Sequence, residues 1–360
     1  MSNDEIIYLF KNGRRQRSGL GSPTEFFYGF SQLENKGLNV RFVEESELGL
    51  GDGKLFDRIA GFVSKIFGGI PVGAIWHLLL PSSRQKIKSA KVIITTTNNL
   101  GLVLACLKTL RLIRSDIIML AMGLLPHVVS KRKTRLYEFV LKNVNLVCIS
   151  KSEKYFLNQV FSSINVKYIP FGVDSKFWSI APTNIGHDDY VFAIGNDLNR
   201  DWDMLIAAWD DTMPKLKLYT SLPVKTHTSN VEVVKSDWRT SVLTDDEILK
   251  LYQEAMFVIV PVKDVIQPSG QSCCLQAMSC GKAVVLTDTI GLWDRENLVN
   301  NKNIILVEPN NSKAISDAVK DLERDHNRRL DIGINARKLI ESELNVDNMA
   351  NAIKDLMENI

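Results

Sequence analysis

Residues 261–288, PVKDVIQPSGQSCCLQAMSCGKAVVLTD, decide the fold of this chain. The apolar run Phe257–Val260 precedes them, and a second apolar run, Ala283–Leu286, lies near their end. Between the two runs come a polar loop and a short helical stretch that stops before Gly281, since glycine is common directly after a last helical turn. Strand, loop, helix and strand in this order predict a βαβ unit of a parallel sheet.

The loop of this unit has the features of an anion site. Gly270, Gln271 and Ser272 place their backbone N–H groups at the start of the helix, where no earlier turn supplies carbonyls and the helix dipole favours negative charge. Gln276 lies about one turn beyond Ser272, where it could reach a ribose hydroxyl. The pattern predicts a diphosphate site, although an ordinary strand–loop–helix connection has the same pattern.

Outward from this unit, apolar runs alternate with helical patterns along the whole chain. The predicted strands are 6–10, 38–43, 91–95, 117–121, 146–149, 167–169, 190–194, 216–219, 231–234, 257–260, 283–286 and 304–307. Strands that alternate with helices predict parallel sheets with right-handed crossovers. In a chain of 360 residues, two such series predict two Rossmann-like α/β domains joined around residues 171–188.

The first strand leads into a basic loop that contains glycines, Lys11–Gly21. Ser22-Pro23-Thr24-Glu25 then predicts a capping box with proline at the first helical position, opening a helix that ends near Gly37. Because open α/β sheets bind ligands beyond the carboxyl ends of their strands, this loop is a candidate ligand site.

A second candidate site follows the first strand of the C-terminal half. Gly195 allows a ligand to approach the backbone closely, and Arg200 offers a planar set of donors to phosphate. An arginine at a helix start is also commonly solvated or paired with an acid, here Asp201 or Asp203. Because this stretch and the 261–288 loop follow strands of one sheet, we expect both to face one crevice.

The net charge of +3 conceals two halves of opposite sign. Residues 1–175 contain 24 Lys and Arg against 13 Asp and Glu, whereas residues 176–360 contain 20 against 28. The basic half predicts contact with phosphates or an anionic membrane. The apolar but interrupted segment 55–80 predicts either a helix pair in the core or an amphipathic patch on a membrane, near the basic runs 84–91 and 131–135.

The cysteines and the N-terminus indicate the compartment. The five cysteines include no CxxC pair and have no histidine at ligand spacing, which predicts reduced thiols rather than disulfides or a zinc site. The N-terminus has acidic residues where a secretory signal needs basic ones. We therefore expect a cytoplasmic protein.

From Ile169 to the C-terminus, the chain resembles the nucleotide-sugar domain of retaining glycosyltransferases of family 4, which have the GT-B fold. The resemblance rests on Ile169–Asp174 (IPFGVD), on Gly195–Arg200, and on Ser269–Leu286, which is similar to the family pattern SGQ…EAMA-G-K-P-V-V. The N-terminal half is similar more loosely, through its glycine loop and the L-x-x-x-G-x-x-V spacing of Leu33–Val40.

The resemblance implies an α/β GT-B architecture, with two Rossmann-like domains whose parallel sheets face a central cleft. It divides the chain into an acceptor-side domain (1–170), a nucleotide-sugar domain (171–345) and a C-terminal helix (346–360) that packs back toward the N-terminal domain. The implied enzyme is a hexosyltransferase of polysaccharide or glycolipid synthesis. It moves a sugar from a nucleotide-diphosphate sugar, UDP-sugar rather than GDP-sugar, to a glycan or lipid-linked acceptor with retention of configuration.

The resemblance also implies the site. Arg200 meets the diphosphate and, with the helix N-terminus, stabilises the leaving group. The implied residues are Arg200 and His127 for catalysis; Gly195, Asn196, Arg200, Ser269, Gly270, Gln271, Ser272 and Gln276 for the donor; and Arg17, Gly19, Gly21, Asn98 and Asn99 for the acceptor or phosphate loop. No metal, cofactor or nucleic-acid partner is implied, and the inner face of an anionic membrane is a candidate contact.

Two positions depart from the family pattern. Many relatives carry two glutamates separated by seven residues, and here Pro268 and Gln276 stand in their places. Gln276 can still hydrogen-bond to ribose, whereas Pro268 cannot replace a carboxylate. A catalytically degenerate GT-B protein that serves as a binding or scaffolding subunit is therefore an alternative, and a sugar-nucleotide epimerase, which needs paired acids, is another. NAD-linked chemistry is disfavoured because no GxGxxG follows a strand.

Overall fold

The computed structural model describes residues 4–19, 21–49, 64, 69–182, 190–236 and 243–360. The chain divides into two compact units. The N-terminal unit comprises Met1–Phe171 together with Asp347–Ile360, and the C-terminal unit comprises Gly172–Val346.

The N-terminal unit is built on a six-stranded parallel sheet in the order β2-β1-β3-β4-β5-β6. Its strands are β1 (Glu5–Phe10), β2 (Val40–Glu44), β3 (Ala90–Thr95), β4 (Asp116–Ala121), β5 (Asn145–Cys148) and β6 (Lys167–Tyr168). Its helices are α1 (Arg14–Arg17), α2 (Phe30–Asn35), α3 (Val72–Leu79), α4 (Pro81–Ile87), α5 (Asn98–Thr109), α6 (Lys131–Leu141) and α7 (Lys151–Val160). The strand order reverses direction between β1 and β3, so the loops after these strands diverge and leave a crevice between them.

The C-terminal unit repeats this plan with the order β12-β11-β10-β7-β8-β9, again all parallel. Its strands are β7 (Tyr190–Ile194), β8 (Lys215–Thr220), β9 (Val231–Lys235), β10 (Phe257–Val260), β11 (Val284–Thr287) and β12 (Ile305–Val307). Its helices are α8 (Trp202–Ala208), α9 (Asp245–Glu254), α10 (Gln271–Ser279), α11 (Ser312–Arg324) and α12 (His326–Ser342). The order reverses between β7 and β10. A last helix, α13 (Val346–Glu358), begins at the unit boundary.

All twelve predicted strands are present, and the fold prediction is confirmed. The central strands are buried along their length because parallel sheets are covered by helices on both faces. In the C-terminal unit, Leu205 of α8 and Ile315 of α11 pack into the same apolar core as Ile259 of β10. These contacts hold α8 and α11 against the sheet.

The predicted helix start at the capping box, residues 22–25, is wrong, whereas the predicted end near Gly37 is confirmed by α2. Glu25–Phe27 forms only a 3₁₀ turn, the Thr24 side chain caps no backbone N–H, and the chain then turns through left-handed Tyr28 (φ 49°) and Gly29 (φ 80°) before α2 begins. The left-handed conformation of these two residues is what interrupts the helix. Helix α13 packs directly on the turn, since a Cβ at Gly29 would lie 3.0 Å from the Cα atom of Ala350.

The apolar segment 55–80 is described only in part, because residues 55–63 and 65–68 lie outside the described residues. Its second half contains α3, in which Leu78 is buried and Trp76 is 60% exposed. Of the predicted linker 171–188, residues 183–188 likewise lie outside the described part. No helix of the described residues has the length and apolar character needed to cross a membrane.

Candidate functional site

The two stretches singled out in the C-terminal half meet at the strand-order reversal of its sheet. The loop after β7 and the loop after β10 leave neighbouring strands, and a backbone bridge joins Arg200 to Val262. The Asp201 N–H donates to the Pro261 carbonyl at 3.1 Å, and the Lys263 N–H donates to the Asn199 carbonyl at 2.9 Å. The two loops therefore form one structure at the carboxyl edge of the sheet, as expected.

The Arg200 side chain lies at the centre of this structure and is only 4% exposed. Its NH2 group donates to the sulfur of Cys273 at 3.1 Å, and its Nε and NH1 groups have no hydrogen-bond partner among the described residues. A Cβ at Gly195 would lie 2.3 Å from Nε, and a Cβ at Gly270 would lie 2.9 Å from NH1. The guanidinium thus occupies a slot that exists because both positions are glycine.

The neighbouring acids do not neutralise Arg200. Asp201 caps α8 by accepting the Met204 N–H at 3.1 Å, and within the described ranges no carboxylate forms an ion pair with Arg200. The alternative of a paired surface arginine is therefore wrong. A buried donor without a partner costs about 1–3 kcal/mol. The slot is thus a cationic site that an anion would complete.

The N-terminus of α10 faces the same slot. The cap residue, Gly270, is left-handed (φ 79°) and has no side chain to cap the helix. The N–H groups of Ser272 and Cys273 belong to the first turn, so no carbonyl within the helix can accept them. Ser269 holds the loop instead: its hydroxyl accepts the Asn199 amide at 2.9 Å, while its own N–H donates to Gln267.

Two predicted donor-binding side chains make hydrogen bonds within the protein. Gln276 is 7% exposed, and its Oε1 accepts the Tyr252 hydroxyl at 3.3 Å. The Asn196 amide donates to the Ser236 carbonyl at 2.9 Å and accepts the Ser221 N–H, which fixes the ends of β8 and β9. A ribose contact by Gln276 stays a prediction, and it would compete with Tyr252.

The N-terminal unit has a second cluster, beyond the carboxyl ends of β3, β4 and β5. The Asn98 side chain donates to the Met122 carbonyl at 2.9 Å and accepts its N–H at 3.3 Å. The Tyr28 hydroxyl donates to the Met122 sulfur at 3.7 Å. Glu153, buried at the start of α7, accepts the N–H groups of Leu124 and Gly123. Burial raises the pKa of Glu153 to about 7.

The basic loop after β1 is partly ordered as α1. The guanidinium of Arg14 lies 5.5 Å from the centre of the Phe26 ring, and burial is the main factor that lowers its pKa, with the nearby charge of Arg17 acting in the same direction. Arg17 is half-buried, whereas Gly19 and Gly21 are exposed. The Tyr28 ring lies close enough to Arg14 to influence this pKa, so the loop approaches the Asn98–Met122 cluster.

The remaining predicted residues are peripheral. Asn99 is exposed at the start of α5. His127 is exposed beyond β4, with its ring 5.8 Å from that of Phe156. Their roles stay predictions. In the part of the chain that the structure describes, no group of three or more His, Cys, Asp or Glu side chains could hold a metal ion.

Three residues of these clusters were not predicted. Asn199 and Cys273 flank Arg200 and Ser269, yet Asn199 is one of several asparagines and Cys273 reads as an ordinary buried thiol. Glu153 follows Ser150 at capping-box spacing, which predicts a helix cap instead of a support for a distant loop. Only the tertiary contacts distinguish these residues.

One family model matches part of the C-terminal unit. Residues 240–339 match the family model "Glycosyl transferases group 1". No curated protein sequence matches the chain.

Solved structures match the chain over nearly its full length. The structure of Anabaena Alr3699/HepE in complex with UDP-glucose matches at 15% identity, with a TM-score of 0.67, over 99% of this chain and 100% of that one. Sucrose-phosphate synthase from Thermosynechococcus elongatus matches at 17% identity, with a TM-score of 0.73, over 99% and 98%. WaaG, a glycosyltransferase of lipopolysaccharide biosynthesis, matches at 11% identity, with a TM-score of 0.61, over 98% and 99%. The chain therefore has the GT-B fold of these proteins, and the α10 side of its candidate site lies within a stretch that matches glycosyl transferases group 1.

Proposed function

We propose that the protein is a hexosyltransferase that moves a sugar from a nucleotide-diphosphate sugar to a glycan or lipid-linked acceptor. The observation that carries the proposal is the buried Arg200, whose Nε and NH1 groups have no partner among the described residues, beside the uncapped start of α10. The group 1 match supports the enzyme class. A UDP-sugar is the favoured donor, since HepE, which has the same fold, was solved with UDP-glucose.

The proposed chemistry follows from this charge distribution. The bond between the anomeric carbon and the diphosphate oxygen breaks, and the diphosphate leaves with the bonding electrons. The guanidinium of Arg200 and the N–H groups of Ser272 and Cys273 stabilise the negative charge that develops on it. The acceptor hydroxyl bonds to the anomeric carbon and gives its proton to the departing diphosphate oxygen, with retention of configuration as the proposed outcome.

We assign acceptor recognition to the N-terminal unit. Its basic residues include four within the first five positions of α6, Lys131, Arg132, Lys133 and Arg135, and Phe139 on the same helix is 56% exposed. A basic helix that carries an exposed aromatic side chain suits an anionic membrane surface. The proposal therefore includes peripheral contact with the membrane in which a lipid-linked acceptor would lie.

A panel of donors tests the proposal. UDP-, GDP- and dTDP-sugars are compared by thermal shift of the full chain, with NAD as the unrelated nucleotide, and nucleotide release is then measured with lipid and oligosaccharide acceptors. We expect a UDP-sugar to raise the melting temperature and to be consumed. Arg200→Met should weaken this binding. Its matched control is Arg324→Met, which removes an exposed arginine of the same unit and should leave binding unchanged. Stabilisation by NAD alone would contradict the proposal.

A binding or scaffolding subunit is the second candidate, because Pro268 occupies one family glutamate position and the Gln276 side chain is engaged by Tyr252. This candidate predicts nucleotide-sugar binding without turnover over the whole acceptor panel.

EDTA treatment tests whether the proposed reaction needs a metal ion. We expect activity without added metal, since Asp201, the acid next to Arg200, is already used as a helix cap.

A further inference from the structure

The sulfur of Cys273 lies in the slot that holds Arg200. Cys273 is the third residue of α10 and is half-buried. The NH2 group of Arg200 donates to this sulfur at 3.1 Å, and the Tyr252 hydroxyl, which also donates to Gln276, faces it too. A cationic donor, a second donor and the start of a helix therefore surround this sulfur, and the side chain is exposed enough for a reagent to reach it.

Burial disfavours the reactive thiolate form of the other four cysteines. Burial raises the pKa of Cys106 to about 11 and that of Cys280 to about 12, and it also raises the pKa of Cys148 and Cys274. Three of the four are fully enclosed, and only Cys106 is half-buried like Cys273. Cys106 is therefore the natural reference for any reaction of Cys273.

An independent feature indicates that a ligand enters this slot. Nε and NH1 of Arg200 have no partner in the described part of the chain, although the side chain is 96% buried. The third nitrogen of the same guanidinium contacts the sulfur. An anion that satisfies Nε and NH1 and a group attached to the Cys273 sulfur would therefore occupy adjoining space.

We propose that Cys273 is a modification site at which a small disulfide attaches and blocks the nucleotide diphosphate, an inference that rests on the proposed function for the identity of the blocked ligand. The Cys273 thiolate attacks one sulfur of the disulfide, for which oxidised glutathione is the probe. A new S–S bond forms, the old one breaks, and glutathione leaves as a thiolate that takes up a proton. A thiol reductant reverses the step, so the adduct is a reversible block of donor binding.

The experiment follows labelling of the full chain by iodoacetamide and by oxidised glutathione, with peptide mass mapping over time. We expect Cys273 to be labelled at least about tenfold faster than Cys106. Saturating UDP should slow labelling of Cys273 by about tenfold or more while the labelling of Cys106 stays the same, because the nucleotide covers only one of the two sites. The glutathione adduct should abolish the thermal shift by UDP, and dithiothreitol should restore it.

Two serine variants are the controls. Cys273→Ser keeps a hydrogen-bond acceptor for Arg200. In this variant, oxidised glutathione should not change the thermal shift that UDP produces. Cys106→Ser should remain as sensitive as the wild type. Faster labelling of Cys106 than of Cys273 would overturn the proposal, as would unchanged labelling of Cys273 when thermal shift shows that UDP is bound. If no nucleotide shifts the melting temperature, the proposed function fails, whereas the order of labelling still decides the reactivity of Cys273.

Discussion

Replacing Arg200 by methionine should raise the stability of the free protein while it weakens donor binding severely. Methionine fills most of the arginine volume without its charge, and the slot between Gly195 and Gly270 needs no other change. The free protein holds a buried guanidinium with two unsatisfied donors, Nε and NH1. In the wild type, only a bound anion offsets the free-energy cost of burying these donors, and the substitution removes that cost.

The magnitudes follow from the contacts. Two unmet donors cost at least about 1 kcal/mol each, and the lost hydrogen bond to Cys273 offsets roughly 1 kcal/mol. A net gain of about 1 kcal/mol should raise the melting temperature of a unit the size of Gly172–Val346 by about 2–4 °C. Binding loses two charge-assisted hydrogen bonds of about 1.5–3 kcal/mol each, which lowers the affinity by about a hundredfold or more.

Two measurements on the same preparation decide the matter: the melting temperature without ligand, and the UDP affinity by calorimetry. Arg324→Met provides the reference for the loss of an exposed arginine. If Arg200→Met lowers the melting temperature by several degrees, the arginine supports the fold and the reasoning fails. An unchanged affinity for UDP would remove Arg200 from the site.

Three further predictions concern other contacts. Gly195→Ala should lower UDP affinity at least about tenfold, because a Cβ there would lie 2.3 Å from Nε of Arg200 and displace the guanidinium; an unchanged affinity in calorimetry would contradict this. The folded-state pKa of Glu153 is raised from 4.5 to about 7, so its stabilising effect is complete below pH 4.5 and is lost as the pH rises through 7. Relative to Glu153→Gln, the wild type should lose about 3 kcal/mol of unfolding free energy by pH 8; parallel denaturation curves from pH 5 to 8 would refute this. Changing Lys131 and Arg132 to alanine should weaken flotation with anionic vesicles roughly thirtyfold at low salt; binding that is unaffected by the change or by salt would exclude α6 as the contact.

The fold could be predicted from the sequence because its determinants are local and repeated. Runs such as Phe257–Val260 and Ala283–Leu286 are apolar over a strand length and are bounded by polar loops, and the observed strands β10 and β11 match them within one residue. The failed helix after Pro23 shows the limit. The left-handed turn that replaces its start, at Tyr28 and Gly29, packs against Ala350, a contact that no local pattern contains.

The candidate site could be predicted only in outline. Gly195, Arg200 and Gly270 were identified because they follow parallel strands, where open α/β sheets bind ligands, and because glycine admits a ligand to the backbone while arginine can bind phosphate. Their arrangement could not be derived, since Arg200 is placed by contacts with residues such as Cys273, 73 positions away. The hydrogen bond between Gln276 and Tyr252 was missed for the same reason: the sequence of a helix does not reveal which distant residue a glutamine on it contacts.

The charge of the two halves shows why the site had to be located by geometry. Residues 176–360 carry a net negative charge, with 28 acidic against 20 basic residues, and yet this half holds the candidate anion site. Surface carboxylates more than about 8 Å away are largely screened at physiological ionic strength. The donors of Arg200 and of the start of α10 act at hydrogen-bond distance inside the slot. The neighbouring acid, Asp201, caps α8 and forms no ion pair with Arg200 among the described residues. Local orientation therefore outweighs net charge, and reversing distant surface acids should change nucleotide affinity far less than the single substitution at Arg200.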